Sequence, residues 1–408
     1  MQVKIFTPSC ANSGCHTAGS SYAEQSGLVL DANVSYNDLV GVSSKEPHAL
    51  ADGILRVLPG SPDSSLLYLK VHGFPFGKAY GSLMPLGMKA LSAGKMEFIR
   101  RWIAEGAKKT GDDIDPSLLE DTVSTGGEFT PLDPPAPGTG FQLTTGKFDV
   151  YPNFEREIFI YRKDPLTADA YINRIQYKLR PNSHHLALYT FAQGSSLPAY
   201  DVLRDLRFPN GAENFTVESQ MQDHLFLGGS MVAEEDYHFP DGVALYLKKG
   251  TGIDFNVHFI NRTSDTLPGE GYANLYTTDP SNVKHLAFPF FDVNQMITLP
   301  PHQTTVITMT TTNPNPQPLY VFMLTSHNHE WGEKYQIKMF GGPRNGEIVY
   351  ESTVWDDPLV KSFDPPIILN PGEGLTSVTT YNNTTDHEID FGLTSKNEMQ
   401  VLYGYGYY

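Results

Sequence analysis

After about residue 140 this chain is written largely in period two, and that pattern limits its fold more than anything else in it. Ile175, Tyr177 and Leu179 alternate with Arg174, Gln176, Lys178 and Arg180. Ile253, Phe255, Val257 and Phe259 alternate with Asp254, Asn256 and His258, and Tyr320, Phe322 and Leu324 lead to His327. Tyr335, Ile337 and Met339 continue the pattern after it. Successive side chains of a strand point to opposite faces, so each run predicts a strand with one face turned to a core. Gly341, Gly342 and Pro343, and then Pro371 and Gly372, punctuate the runs as turns. With no long helical pattern between them, the strands predict an antiparallel sandwich or barrel. Roughly 270 residues are generous for one sandwich. The expectation is therefore two β-sandwich (jelly-roll) domains in tandem, 141–285 and 286–408.

The first 140 residues read differently. Residues 111–140 hold seven acidic residues, no basic one, and Pro131, Pro134, Pro135 and Pro137, which predicts an acidic Pro-rich linker. Residues 1–110 carry both cysteines of the chain, Cys10 and Cys15, with His16 directly after them. Three chemistries use such residues. They are a surface disulfide, a zinc site completed by His48 or His72, and c-type haem attachment, in which two thiols bond the haem and the histidine ligates iron. Four residues separate the cysteines, where the haem signature ordinarily has two. Near the end of this segment Met96, Ile99, Ile103 and Ala107 form a helical stripe, with Ser92 placed to cap it.

The formal charge of −17 argues against a nucleic-acid partner, whose phosphates need a positive surface. No apolar run of about 18 residues predicts a membrane span. Met1 stands so close to Cys10 that no signal peptide is visible; one is read as already removed, which implies a periplasmic or secreted protein.

The histidines are unevenly spread. His184 and His185 are adjacent, His258 stands on the polar face of its strand, and His327 and His329 are two apart. Residues two apart on a strand share a face and can chelate one ion. Adjacent ones point opposite ways, so joint ligation requires a bulge or strand end, or different ring nitrogens; Pro181, Asn182 and Ser183 supply a place for such an irregularity. Each feature alone also reads as an ordinary core or surface histidine.

Two resemblances connect these pieces. Cys10, Cys15 and His16, residues 26–31 and 57–70, Met84 with Pro85, and residues 98–107 resemble the small cytochrome c-like domains fused to other modules. That resemblance implies one covalently bound c-type haem in an all-α domain, with Met84 as second axial ligand and Met88 and His72 as rivals. Residues 183–189, 257–261, 326–332 and 397–403 resemble, in order, motifs of the copper type II, ascorbate-dependent monooxygenases, the peptidylglycine α-hydroxylating and dopamine β-monooxygenase family.

What this second resemblance implies is two copper ions on two sandwiches facing across a cleft. His184, His185 and His258 would hold an electron-storing copper; His327, His329 and Met399 would hold the copper that meets oxygen, with Tyr403 beside it. Thr325 stands where peptide-amidating members grip a carboxylate with arginine, so a peptide with a free carboxylate is not the expected substrate, and aromatic residues near Tyr403 suggest an apolar or aromatic small molecule. The implied activity is hydroxylation of a C–H bond with O2, electrons arriving from an external donor through the haem. The alternative is a non-catalytic protein that carries copper or transfers electrons on the same fold.

Overall fold

The computed structural model describes residues 1–12, 15–74, 80–111, 113–122, 129–355, 358–394 and 396–408. The chain divides into two compact units: residues 1–130 with 352–359, and residues 131–351 with 360–408.

Unit 1 is built from short helices: Ser21–Ser26, Ser35–Leu39, Pro47–Ala51, Leu66–His72 and Ala93–Ala104. The last behaves as its sequence predicts except at its C-terminal end. The Ser92 hydroxyl accepts from Lys95 N, Ile99 and Ile103 are fully buried and Met96 partly so, but the helix ends at Ala104, and Ala107, expected on the same helical stripe, is buried beyond that end at φ 50. The expectation of an all-α domain standing apart is corrected. Three isolated β-bridges run through the unit, joining Val40 to Val57 and Leu55 to Ser43 and Ser65. The unit is also completed by chain from the far end of the sequence, where Trp355 packs on Tyr22 at 5.6 Å and joins Leu86 in a small core. The start of the expected linker is ordered as well. Pro116–Glu120 forms a 3-10 turn, and Leu118 and Leu119 pack on the unit's main core. Asp133 lies at the other unit, its carbonyl accepting from Asn274 Nδ2.

The regular structure of unit 2 is mainly strand; among the described residues it adds one α-helix, Phe215–Met221, and a 3-10 turn, Pro280–Asn282. The two tandem sandwiches expected for 141–285 and 286–408 are corrected to one continuous unit. A nine-stranded sheet crosses the expected boundary, in the order Gly140–Thr144, Gly271–Thr277, Ala170–Leu179, Val243–Leu247, His285–Asn294, Gln400–Tyr407, Leu319–His327, Lys361–Leu369, with Glu234–His238 paired to Ala170–Leu179. The seam is a parallel pairing of Val243–Leu247 with His285–Asn294. Parallel neighbours need a crossover and not a hairpin, which is why sequence alternation alone does not foretell it.

A five-stranded sheet faces the first half of this large sheet, and a four-stranded sheet (Gln303–Thr312, Gly374–Asn383, Gly332–Phe340, Ile348–Ser352) belongs to the second. The main core gathers Ile158, Leu188, Phe255 and Val257 from the small sheet with Ile175, Tyr177, Leu275 and Tyr405 from the large one.

Candidate functional site: a five-histidine cluster

The five-stranded sheet has the order Leu203–Asp205, Phe154–Arg162, Ile253–Asn261, Ser183–Phe191, His224–Ser230. Its central strand is buried on both faces. Ile253, Phe255, Val257 and Phe259 fill the core, while Asp254, Asn256 and His258 face the other way, at 0, 1 and 2 % exposure. Polar groups buried that deeply require partners. Asn256 finds them in Glu157 Oε1 and the Ile158 carbonyl, whereas His258, which stands opposite Glu157 on one neighbour and His185 on the other, keeps a buried Nε2 with no hydrogen bond among the described residues.

The irregularity that an adjacent histidine pair demands is present. His258 pairs with His185, but Phe259 pairs with Ser183, so the register passes over His184. Asn182, just before it, has φ 72, in the left-handed region that asparagine tolerates. The bulge turns the His184 ring to the same side as its neighbours. Ring centroids of His184, His185 and His258 lie 5.1–5.2 Å from one another, and His184 Nδ1 meets His185 Nδ1 at 3.0 Å.

The second histidine set reaches the same place. The strand Leu319–His327 ends at His327, and His329 lies in the turn beyond it, so the pair does not share a strand face as the spacing suggests. The two rings nonetheless meet, Nε2 to Nε2, at 3.2 Å. The turn is braced from below. Glu398, fully buried, accepts from the backbone N–H groups of His329, Trp331 and Met399 at 2.7–3.1 Å. His329 Nδ1 lies 3.1 Å from the Asn397 carbonyl, which leaves Nε2 for the site.

The sets are not separated by a cleft. His184 lies 5.8 Å from His327 and 6.2 Å from His329, and His185 lies 6.1 Å from His327, between ring centroids. The expectation of two distant copper sites is corrected to one cluster of five rings. Burial holds His184 and His327 well below the usual histidine pKa, with the neighbouring rings adding to it, and holds His329 down to about 4. The three rings are therefore neutral near pH 7, the form in which imidazole offers a lone pair.

Two carboxylates that sequence reading missed stand behind the rings. Glu157 Oε1 lies 3.5 Å from His185 Nε2, and Glu155 Oε2 lies 3.4 Å from His258 Nε2. Burial works against the charged form of Glu157, but His185, His258 and Arg207 outweigh it and hold the carboxyl down to about 2. A carboxylate on one ring nitrogen orients the other toward an ion.

The geometry passes a simple test for metal. On a tetrahedral ion with bonds of about 2.0–2.1 Å, two nitrogens sit roughly 3.3 Å apart and their ring centroids roughly 5 Å apart. The observed spacings fall close to both values. An N–H···N hydrogen bond has a similar length, but hydrogen bonding alone gives no reason to gather five rings, three of them buried and two half-buried. His184, His185 and His258 also bring one ligand atom each within 4.8 Å of the others.

Met399 and Tyr403 are placed less directly. The same Glu398 oxygen that accepts from His329 N accepts from Met399 N, and the Met399 carbonyl accepts from Tyr381 Oη at 2.7 Å. Met399 is tied to the turn through this backbone. Tyr403 stands opposite Thr325 and packs in the core against Phe226 at 4.8 Å and Tyr405 at 5.4 Å.

In unit 1, Cys10 and Cys15 are not joined in a disulfide, and burial, with Cys15 nearby, pushes the Cys10 thiol up to about 12. His16 N donates to the Cys10 carbonyl, and His16 Nδ1 lies 3.2 Å from the Leu28 carbonyl. Burial lowers the His16 pKa to about 4. Met84 packs on the core that contains Cys10, while Met88 Sδ accepts from Asn12 Nδ2, inside the Cys10–Cys15 turn, at 3.6 Å.

No protein-family model matches this chain, and no curated protein does. Among solved structures it is similar to the major capsid protein P2 of bacteriophage PM2, at 12% identity, covering 62% of this chain and 98% of that one, with a TM-score of 0.28. It is also similar to the STIV MCP, at 8% identity, covering 65% and 97%, with a TM-score of 0.30. The resemblance to the copper type II monooxygenases is corrected by these findings, since none of them leads to that family. The resemblance to cytochrome c-like domains gains no support from them either. The standing as an oxidoreductase or haem protein that came with kinship goes too, and the β-sandwich content remains.

Proposed function

We propose that this chain is a copper-binding protein whose site is the five-histidine cluster of unit 2. One observation carries the proposal: five rings from three strands and a turn converge, with nitrogens 3.0 Å apart between His184 and His185 and 3.2 Å apart between His327 and His329. The donor set chooses the ion. Imidazole suits copper, zinc, nickel and iron, unit 2 offers no thiolate, and copper(II) stands highest among divalent first-row ions for nitrogen ligands. Copper carriage or electron transfer without further chemistry is the reading this site supports best by itself.

The catalytic form, hydroxylation of a small apolar or aromatic substrate with O2, adds an external electron donor and, in unit 1, a c-type haem on Cys10 and Cys15 with His16 as a ligand. A periplasmic or secreted location belongs to the same proposal. The engaged Nδ1 of His16 supports the haem part, because it leaves Nε2 for iron. The deciding experiment is metal analysis and copper(II) titration of the purified full chain, with an optical spectrum for haem. Tight copper that is lost in His184→Ala and His258→Ala upholds the copper reading, and failure to retain copper against a weak chelator ends it. Substrate-dependent oxygen uptake then separates the catalytic form from carriage.

A further inference from the structure

Resting on the copper reading above, we infer that the five histidines build one dinuclear centre, not two independent mononuclear sites. Ring spacings within the sets are 5.1–5.2 Å for the trio and 4.9 Å for the pair. Between the sets they are 5.8, 6.1 and 6.2 Å, less than an ångström and a half longer. An ion bound to a ring nitrogen lies about 3.2 Å from that ring's centroid, the bond plus the ring radius. At these spacings no protein layer fits between an ion on the trio and an ion on the pair.

The two sets are nonetheless distinct as ligand groups. His184 and His185 converge through Nδ1, on a bulged strand of the five-stranded sheet, with Glu155 and Glu157 behind the trio. His327 and His329 converge through Nε2, from a strand end and a turn fixed by Glu398. Each set closes on its own nitrogen pair, which is the pattern of two ions side by side. The pair supplies two protein ligands and leaves positions for water or another small oxygen donor, whereas the trio is nearly complete.

Two copper(II) ions so close interact magnetically, and the test reads that interaction. Copper(II) is added stepwise to the full chain, with bound copper and the integrated electron paramagnetic resonance signal measured at each step. The expected result is one full spin at one equivalent, followed by loss or dipolar splitting of that signal as the second equivalent binds. In the double variant His327→Ala, His329→Ala, one copper is retained with its full, undisturbed spin. The wild-type titration decides the matter even where that variant does not fold. Two bound coppers giving two undisturbed spins overturn the dinuclear centre and leave copper binding intact, as does saturation at a single copper. No bound copper overturns the underlying reading as well.

Discussion

Glu157 shows how much of this site rests on a single side chain. It is 7 % exposed, faces His185, and also accepts from Asn256 Nδ2 at 3.1 Å. Removing its charge while keeping its shape replaces the carboxylate that faces His185 Nε2 with a neutral amide, whose oxygen is a weaker acceptor and whose NH2 group cannot accept. Glu157→Gln is expected to weaken copper affinity by roughly 10- to 100-fold, read by competition titration, with the fold intact by circular dichroism. Unchanged affinity would show that His185 is held by packing alone. The histidines themselves make a second prediction. In the metal-free protein His329 titrates at about 4 against 6.5 for an ordinary histidine, so between those values the unfolded chain binds more protons than the folded one. Stability is then complete above about pH 6.5 and falls as pH drops toward 4, by up to about 3 kcal/mol for this one group. Urea midpoints across that range check it, and a flat profile would contradict the buried, neutral state. At this scale the histidines were legible because adjacent and alternate spacings are conspicuous. Glu155 and Glu157 were not, because a glutamate on a strand reads as a solvent-facing residue, and only the pairing of strands shows what stands opposite.

The elements that carry the rings are the bulge at His184 and the turn from His327 to Gly332. The bulge could be foreseen, since neighbouring side chains on a regular strand cannot share a face. The turn could not. Two-residue spacing suggested a continuing strand, and what stops the strand is a set of contacts from far along the chain, Glu398 above all. Gly332 is part of that turn for a steric reason. A Cβ there would lie 2.1 Å from Asn328 Nδ2, in a buried side chain whose amide donates to the His329 carbonyl at 3.0 Å. Gly332→Ala therefore has to push the Asn328 amide off its acceptor, a loss of about 1–3 kcal/mol. Because His329 moves with it, the variant is expected to lose stability in denaturant and, in the same protein, to bind its second copper more weakly than its first. A stability loss with unaltered copper stoichiometry and affinity would mean that the turn and the ring positions are uncoupled.

Over the whole molecule, the strands were legible and their assembly was not. Every alternating run named from sequence became a strand, because burial on one face is a local property of the pattern. The joining of both halves into a nine-stranded sheet depends on the parallel seam between Val243–Leu247 and His285–Asn294, a pairing between segments that no periodicity relates. That seam has a thermodynamic consequence. Two tandem sandwiches would unfold separately, and copper on the trio would shift only one of their transitions. Here the cluster takes ligands from residues 184–258 on the five-stranded sheet and from 327–329 at a strand end of the nine-stranded sheet, both within unit 2, so unit 2 is expected to melt in one cooperative step that copper moves as a whole. At a free copper concentration 100 times the dissociation constant, binding to the folded state alone contributes about 2.7 kcal/mol, and a chelator returns the midpoint to its metal-free value. Calorimetry with hydrogen exchange on strands from both sides of the seam makes the measurement. Copper-dependent protection that rises in the 253–261 and 319–327 strands together is the expected outcome, and protection confined to one of them would break the unit back into two.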